Sequence, residues 1–265
     1  MEISLNLYNE DGKINSEKLA KATDAILKGI ARINTLSLRE EQGRSKGGRR
    51  NVEASLLLAA DKRAGRSRQE NNSHQEIIER QENLLRNYAK EKGIWFSEAE
   101  IKENSLIQLP SGFESNVYVD PKGVHVIKVI DYRILDNTPQ SFIDNRISLY
   151  NSEFQETAYE LIGFTENNGR FKFIVKQPYI HARSLDFNTE SDLIFLRIEM
   201  GKRGYKELAP GVYINKDYVI YDVRNGNVKL DAKGNFYFID VVTKLNTLKP
   251  TGGSRQYGNG ELLTG

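Results

Sequence analysis

The sequence has no cysteine, which excludes disulfides, thiolate-bound zinc and a cysteine nucleophile. Its three histidines, His74, His125 and His181, are scattered without metal-ligand spacing. The metal its side chains leave open is an oxygen-ligated one such as Mg²⁺. No stretch approaches the run of about eighteen apolar residues that a membrane span requires. Met1-Glu2-Ile3-Ser4-Leu5 lacks the basic and apolar regions of a signal peptide, so the expectation is a cytoplasmic protein without a membrane partner. The excess of basic over acidic residues is small too: the net charge is only +2 at pH 7, which argues against a chain dedicated to nucleic acid.

What is present suits a globular protein. With 265 residues, 38% hydrophobic and 28% charged, there is enough chain for one substantial domain and an extension. The first ninety or so residues read as helices, from Ser16 to about Ile33, from Val52 to Ala64 and from Gln69 to Glu91. Between them Gly43-Arg44-Ser45-Lys46-Gly47-Gly48-Arg49-Arg50 reads as a basic, glycine-rich linker. Arg44, Lys46, Arg49 and Arg50, with Lys62, Arg63, Arg66 and Arg68, form a strip able to meet phosphates, although no aromatic side chains interleave it.

The most specific pattern lies near the other end. Asp222-Val223-Arg224-Asn225-Gly226-Asn227 is followed by Val228-Lys229-Leu230, a turn through Gly234 and Asn235, and Phe236-Tyr237-Phe238-Ile239-Asp240. Two short strands around a Gly/Asn turn bring the loop before the first strand close to the end of the second. Asp222, Asn227 and Asp240 can therefore converge, which suits Mg²⁺ and a phosphate chain. Asn227 and Asp240 are the metal candidates, and Asp222 is the group to position an acceptor hydroxyl. Asn227 stands five residues and Asp240 eighteen residues after Asp222, the spacing that protein kinases use.

A second constellation lies upstream. Leu109-Pro110-Ser111-Gly112 to Val119 and Val124 to Ile130 read as strand, turn, strand. In the kinase pattern Gly112 marks the phosphate loop, Val117 packs on the base, and Lys128, flanked by Ile127 and Val129, reaches the phosphates. Thr138-Pro139 opens a helix reaching about Asn151, on which Asp144 is the acid available to Lys128. Tyr159 to Phe164 and Phe171 to Gln177 read as paired strands, and Gln177, Tyr179 and Ile180 take the hinge position beside the base. A further helix runs from Thr189 or Glu190 to about Lys202, with mostly core-facing apolar residues.

Together these residues resemble the polyvalent-protein kinase domain, a protein kinase-like family of large multidomain proteins from phages and conjugative elements. The resemblance spans roughly residues 75 to 248. It is carried by Gly112, Glu114, Val117 and Tyr118; by Asn145-Arg146-Ile147; by Phe154, Glu156, Thr157, Tyr159 and Leu161-Ile162-Gly163-Phe164; by Gln177-Pro178-Tyr179; and by the Asp222 loop with Ile239-Asp240. It implies an ATP- and Mg²⁺-dependent phosphotransferase of a mobile element, acting on a protein or small-molecule acceptor. The implied fold is α+β, two-lobed and kinase-like: a helical extension over 1–92, an N-lobe over 93–178 with an antiparallel five-stranded sheet and one helix, and a reduced C-lobe over 179–265 with a flexible tail. Departures are Tyr221, Arg224 and Val241-Val242 after Asp240, where kinases carry other residues; no A-P-E follows, so regulation by an activation segment is not expected. Two other readings stay open, a nucleotide-binding or scaffolding pseudokinase and a nucleic-acid- or protein-binding accessory.

Overall fold

The structure is a computed structural model that describes residues 7, 9, 13–33, 46–67, 73–110 and 112–247. Three helices open it: α1 (Ser16–Ile33), α2 (Lys46–Ser67) and α3 (His74–Lys92). Ser73 caps α3 through a reciprocal box with Glu76, and Gly93 ends it in the left-handed conformation. The linker expected at 43–50 is corrected from Lys46 onward, where α2 has already begun. Ala54, Leu57 and Leu58 of α2 are fully or almost fully buried. Their packing outweighs the poor helix propensity of Gly47 and Gly48. The expected tail from residue 251 lies outside the described residues. Among the described residues no helix is long and apolar enough to cross a membrane.

Two residues of the basic strip are engaged within the protein. Arg49 pairs with Asp24 at 2.8 Å and Glu53 at 3.2 Å, and Arg50 Nη1 donates to the Ile162 carbonyl at 3.0 Å. Both are occupied inside the protein, so they do not form a free phosphate-binding face; Arg44 and Arg68 lie outside the described residues. Asn51 explains what α2 does instead. Its amide donates to the Tyr159 carbonyl at 3.0 Å and accepts from Leu161 N–H at 2.8 Å, so it satisfies an open strand edge as a neighbouring strand would. One hydrophobic core runs from Leu19 and Leu57 through Leu85 to Phe164 and Phe173, uniting the helices with the sheet.

After a short helix α4 (Glu98–Glu103) come β1 (Ile107–Gln108), β2 (Ser115–Val119), β3 (His125–Ile130), β4 (Glu160–Asn167) and β5 (Arg170–Pro178). They form the expected five-stranded antiparallel sheet in the order β1-β2-β3-β5-β4. Asn168-Gly169, both at positive φ, closes the β4–β5 hairpin as such a pair prefers. Trp95 bridges to Phe164 beyond β4, and a Cβ on Gly163 would lie 2.5 Å from the Ile94 carbonyl oxygen. Only glycine allows that approach.

Between β3 and β4 run α5 (Tyr132–Leu135) and a longer helix. It starts as α6 (Pro139–Phe142), capped by Thr138 with proline at the first position, widens into a π-helical stretch Ile143–Leu149, and ends as α7 (Tyr150–Glu153). Beyond β5 lie β6 (Arg183–Ser184), α8 (Glu190–Lys202), β7 (Lys206–Ala209), β8 (Val212–Ile214), β9 (Tyr218–Tyr221), β10 (Val228–Leu230), β11 (Phe236–Phe238) and β12 (Val242–Leu245). They make two small sheets, β11-β10-β6 and β12-β9-β8-β7. Helix α8 departs from expectation in its face. Asp192, Leu196 and Met200, spaced by four, are buried, whereas Ile194, Phe195 and Ile198 are exposed. Arg183 makes burial of Asp192 tolerable by meeting both its oxygens, at 2.6 and 2.8 Å.

Candidate active site

Two strand pairings bring the carboxylates together. In the first, Val242 of β12 sits opposite Tyr221 of β9, so the strands' adjacent ends carry Asp222 and, two residues before Val242, Asp240. In the second, Val228 of β10 faces Phe238 of β11, and Ile239 N–H donates to the Asn227 carbonyl at 2.7 Å. The expected hairpin is therefore present, and β12, which the motif alone does not reveal, completes the convergence. Buried Ile220, Val228 and Phe238 hold these strands in place. Tyr150 and Thr157 hydroxyls both donate to the Phe238 carbonyl, at 2.6 and 2.7 Å, and so tie the strand before Asp240 to the end of the long helix.

Asp222 and Asp240 adopt φ of 59° and 58°. Apart from Asn168 in its turn, they are the only non-glycine residues at positive φ among the described ones. Such conformations persist where surrounding contacts impose them. The Asn227 amide imposes one: it donates to the backbone carbonyl and to Oδ2 of Asp222, both at 2.9 Å. Arg224 Nε reaches Asp222 Oδ1 at 2.5 Å. Both oxygens of Asp222 are thereby oriented, and because the donation is made by the amide nitrogen, the Asn227 side-chain oxygen keeps its capacity as an acceptor.

Lys128 lies in the middle of the sheet, opposite Val117 on one side and Val175 on the other, and is only 4% exposed. A buried ammonium needs a counter-charge, and it finds one in Asp240, with which it forms a short ion pair. Tyr159 hydroxyl donates to the same Asp240 oxygen at 2.6 Å. The protein crowded around Asp240 tends to raise its carboxyl pKa; the Lys128 charge and the hydrogen bonds from Lys128 and Tyr159 outweigh this and hold it below the usual value. Burial, reinforced by the Asp240 charge, pushes the Tyr159 hydroxyl well up, so it remains a donor.

Gly112, Val117, Lys128, Asp222, Asn227 and Asp240 line a single cleft of about 370 Å³. All six were expected at the site. Phe113, 90% exposed, stands at its mouth. The hinge residues are not brought there. The Gln177 side chain turns into the core, donating to Thr157 O at 2.6 Å and to the Tyr150 hydroxyl at 3.1 Å. The Tyr179 amide is spent on the Val124 carbonyl at 2.9 Å, the Ile180 carbonyl accepts from Ala182 N–H at 3.0 Å, and Pro178 has no N–H. The Gln177 side chain, the Tyr179 N–H and the Ile180 carbonyl are thus already engaged within the protein. Asp144, the acid available on the long helix, is exposed and bonded to Gln140 Nε2 at 2.8 Å, and Lys128 pairs with Asp240 instead.

Tyr159 and Arg146 also face the cleft, and residue patterns alone assigned neither a role there. Tyr159 reads simply as the start of an apolar strand, and Arg146 as a polar position on an amphipathic helix. Both belong to the segments that carry the family resemblance, which by itself gave neither a role in the site.

The donor set fits Mg²⁺. Among the described residues no group of three or more His, Cys, Asp or Glu is placed to hold a metal. Asn227 and Asp240 supply hard oxygen donors, and Mg²⁺ is commonly bound by one or two such groups with phosphate oxygens completing its shell.

The model of a family described as serine/threonine/tyrosine kinase found in polyvalent proteins matches residues 78–247, more than half of the chain. No curated protein matches it.

Proposed function

We propose that the chain, which belongs to the family of serine/threonine/tyrosine kinases found in polyvalent proteins, transfers the γ-phosphoryl group of ATP to a hydroxyl acceptor. The observation that carries this is the meeting of Lys128, Asp222, Asn227 and Asp240 around one cleft beside the Gly112 loop. In this reading Lys128 holds phosphate oxygens, and the loop at Gly112 admits the phosphate chain. Asn227 and Asp240 hold Mg²⁺, which neutralises charge on the phosphates and aligns them. Asp222 accepts the proton of the acceptor hydroxyl as the new O–P bond forms and the β,γ-bridging P–O bond breaks, releasing ADP. Its oxygens, pinned by Asn227 and Arg224, stay aimed without further reorganisation. The acceptor is a protein or small molecule met in the cytoplasm of a cell carrying a mobile element. Arg49 and Arg50, each already bonded within the protein, do not favour a nucleic-acid partner.

The test is incubation of the purified chain with γ-labelled ATP and Mg²⁺, beside Asp222→Ala and Asp240→Ala, with nucleotide binding followed calorimetrically. Label transfer to protein or water that both substitutions abolish supports the reading. Nucleotide binding without transfer, across a panel of protein and small-molecule acceptors, identifies a pseudokinase and overturns it.

A further inference from the structure

Arg146 has no place in the scheme above, yet its side chain lines the same cleft. It sits in the π-helical stretch Ile143–Leu149, on the helix that would supply an acid for the lysine in the kinase pattern. The helix offers no such acid here, since Asp144 points away to Gln140. Arg146 offers a cation instead. Its Nε is buried without a hydrogen-bond partner, and among the described residues its guanidinium forms no ion pair. Its charge is felt at both Tyr159 and Asp240, where it favours the ionised forms.

The three cations of the cleft are thus unequal. Lys128 is committed to Asp240 and Arg224 to Asp222, while Arg146 has a buried donor that nothing satisfies. A buried donor left unpaired is costly, and a side chain that turns toward an anion in the cleft recovers that cost. A guanidinium is planar and forked, matching two oxygens of one phosphoryl group. Widening a helix into π geometry shifts the direction of its side chains and often marks such sites. We propose that Arg146 binds the phosphate chain of the nucleotide, replacing the usual acid of this helix by a direct phosphate ligand. The proposal rests on the nucleotide reading, and tripolyphosphate as a probe separates the two.

Arg146→Gln and Arg146→Lys are compared with wild type by calorimetry, using ATP, adenosine and inorganic tripolyphosphate in the presence of Mg²⁺. Thermal unfolding is followed to confirm that each variant folds. The expected result is a loss of about 10- to 100-fold in affinity for ATP and tripolyphosphate in Arg146→Gln, a smaller loss in Arg146→Lys, and unchanged adenosine binding. Unchanged ATP affinity in a folded Arg146→Gln protein overturns the role of Arg146 and leaves the kinase reading standing. Tripolyphosphate binding that depends on Arg146, with no preference for ATP, upholds Arg146 and overturns the nucleotide. Absence of ATP and tripolyphosphate binding in wild type overturns both. Should Arg146→Gln fail to fold, Arg146→Lys decides: ATP affinity equal to wild type in that variant counts against a forked phosphate contact.

Discussion

Lys128 and Asp240, 112 residues apart, form an ion pair across the candidate cleft. The lysine is buried and the aspartate side chain is 47% exposed, so the two partners do not depend on each other equally. Without Asp240 the ammonium would be stranded in the sheet, whereas without Lys128 the carboxylate still meets water.

That asymmetry gives the first prediction. Lys128→Met keeps the volume of the side chain and removes only its charge, so unfolding free energy is expected to change by no more than about 1 kcal/mol. Phosphoryl transfer, by contrast, is expected to fall by roughly 100-fold or more in kcat/KM, since a charge aimed at the phosphates is lost. Denaturant unfolding and transfer assays on one preparation check both; parallel losses of stability and activity would contradict the assignment.

Asn51→Ala removes a side chain that caps the edge of β4 with two hydrogen bonds, to Tyr159 O and Leu161 N. Leu161 N–H loses its partner, whereas the Tyr159 carbonyl keeps its bond from Asn151 Nδ2 at 2.8 Å, and the cost is about 1–3 kcal/mol. Urea unfolding reads it. Because Tyr159 also touches Asp240, a fall in transfer rate at temperatures well below unfolding is expected to accompany the stability loss.

Gly211 adopts φ of 73°, and a Cβ there would lie 2.8 Å from the carbonyl oxygen of Val223, the residue after Asp222. Its own carbonyl accepts from Val223 N–H at 3.1 Å. Gly211→Ala is therefore both strained and crowded, and a destabilisation of about 1–3 kcal/mol is expected. Displacement of the Asp222 loop should lower turnover beyond the effect on folding, as transfer assays at low temperature would reveal.

The pair Arg183–Asp192 sets an acid limit. Hydrogen bonds from Arg183, then from the Asp186 backbone, bring the Asp192 carboxyl down to about 2, below its unfolded value of about 3.9. A depressed folded pKa contributes stability that is complete above the unfolded value and disappears as pH falls through the folded one. Melting temperature is expected to decline between about pH 4 and about pH 2. Asp192→Asn should flatten that decline, and an unchanged acid limb in the variant would refute the assignment.

Much of this was legible beforehand because it depends on local order. Alternating strands, the Asn168-Gly169 turn and the Thr138-Pro139 helix start follow from short-range patterning, whereas the pairing of β3 with β5 joins distant segments and was set by packing. The spacing of Asp222, Asn227 and Asp240 already implied a shared site, since a hairpin must bring its flanks together. Helix α8 shows where periodicity stops. Its apolar residues are distributed all round, and the packing of Leu196 and Met200 in the core, with Asp192 paired to Arg183, sets that face inward.

The sequence by itself determined which chemistry is available: oxygen ligands and cations, no thiol, and motif spacing suited to a phosphate chain. Tertiary structure decided who partners whom. Lys128 found Asp240 and not Asp144, Gln177 turned to Tyr150 and Thr157, Arg50 and Asn51 were claimed by β4, and among the described residues Arg146 was left facing the cleft with its Nε unpaired. Charge and hydrogen-bonding capacity are properties of a residue and can be read one position at a time. The choice among competing partners depends on distances of a few ångströms between segments far apart in sequence, which only the packed core sets.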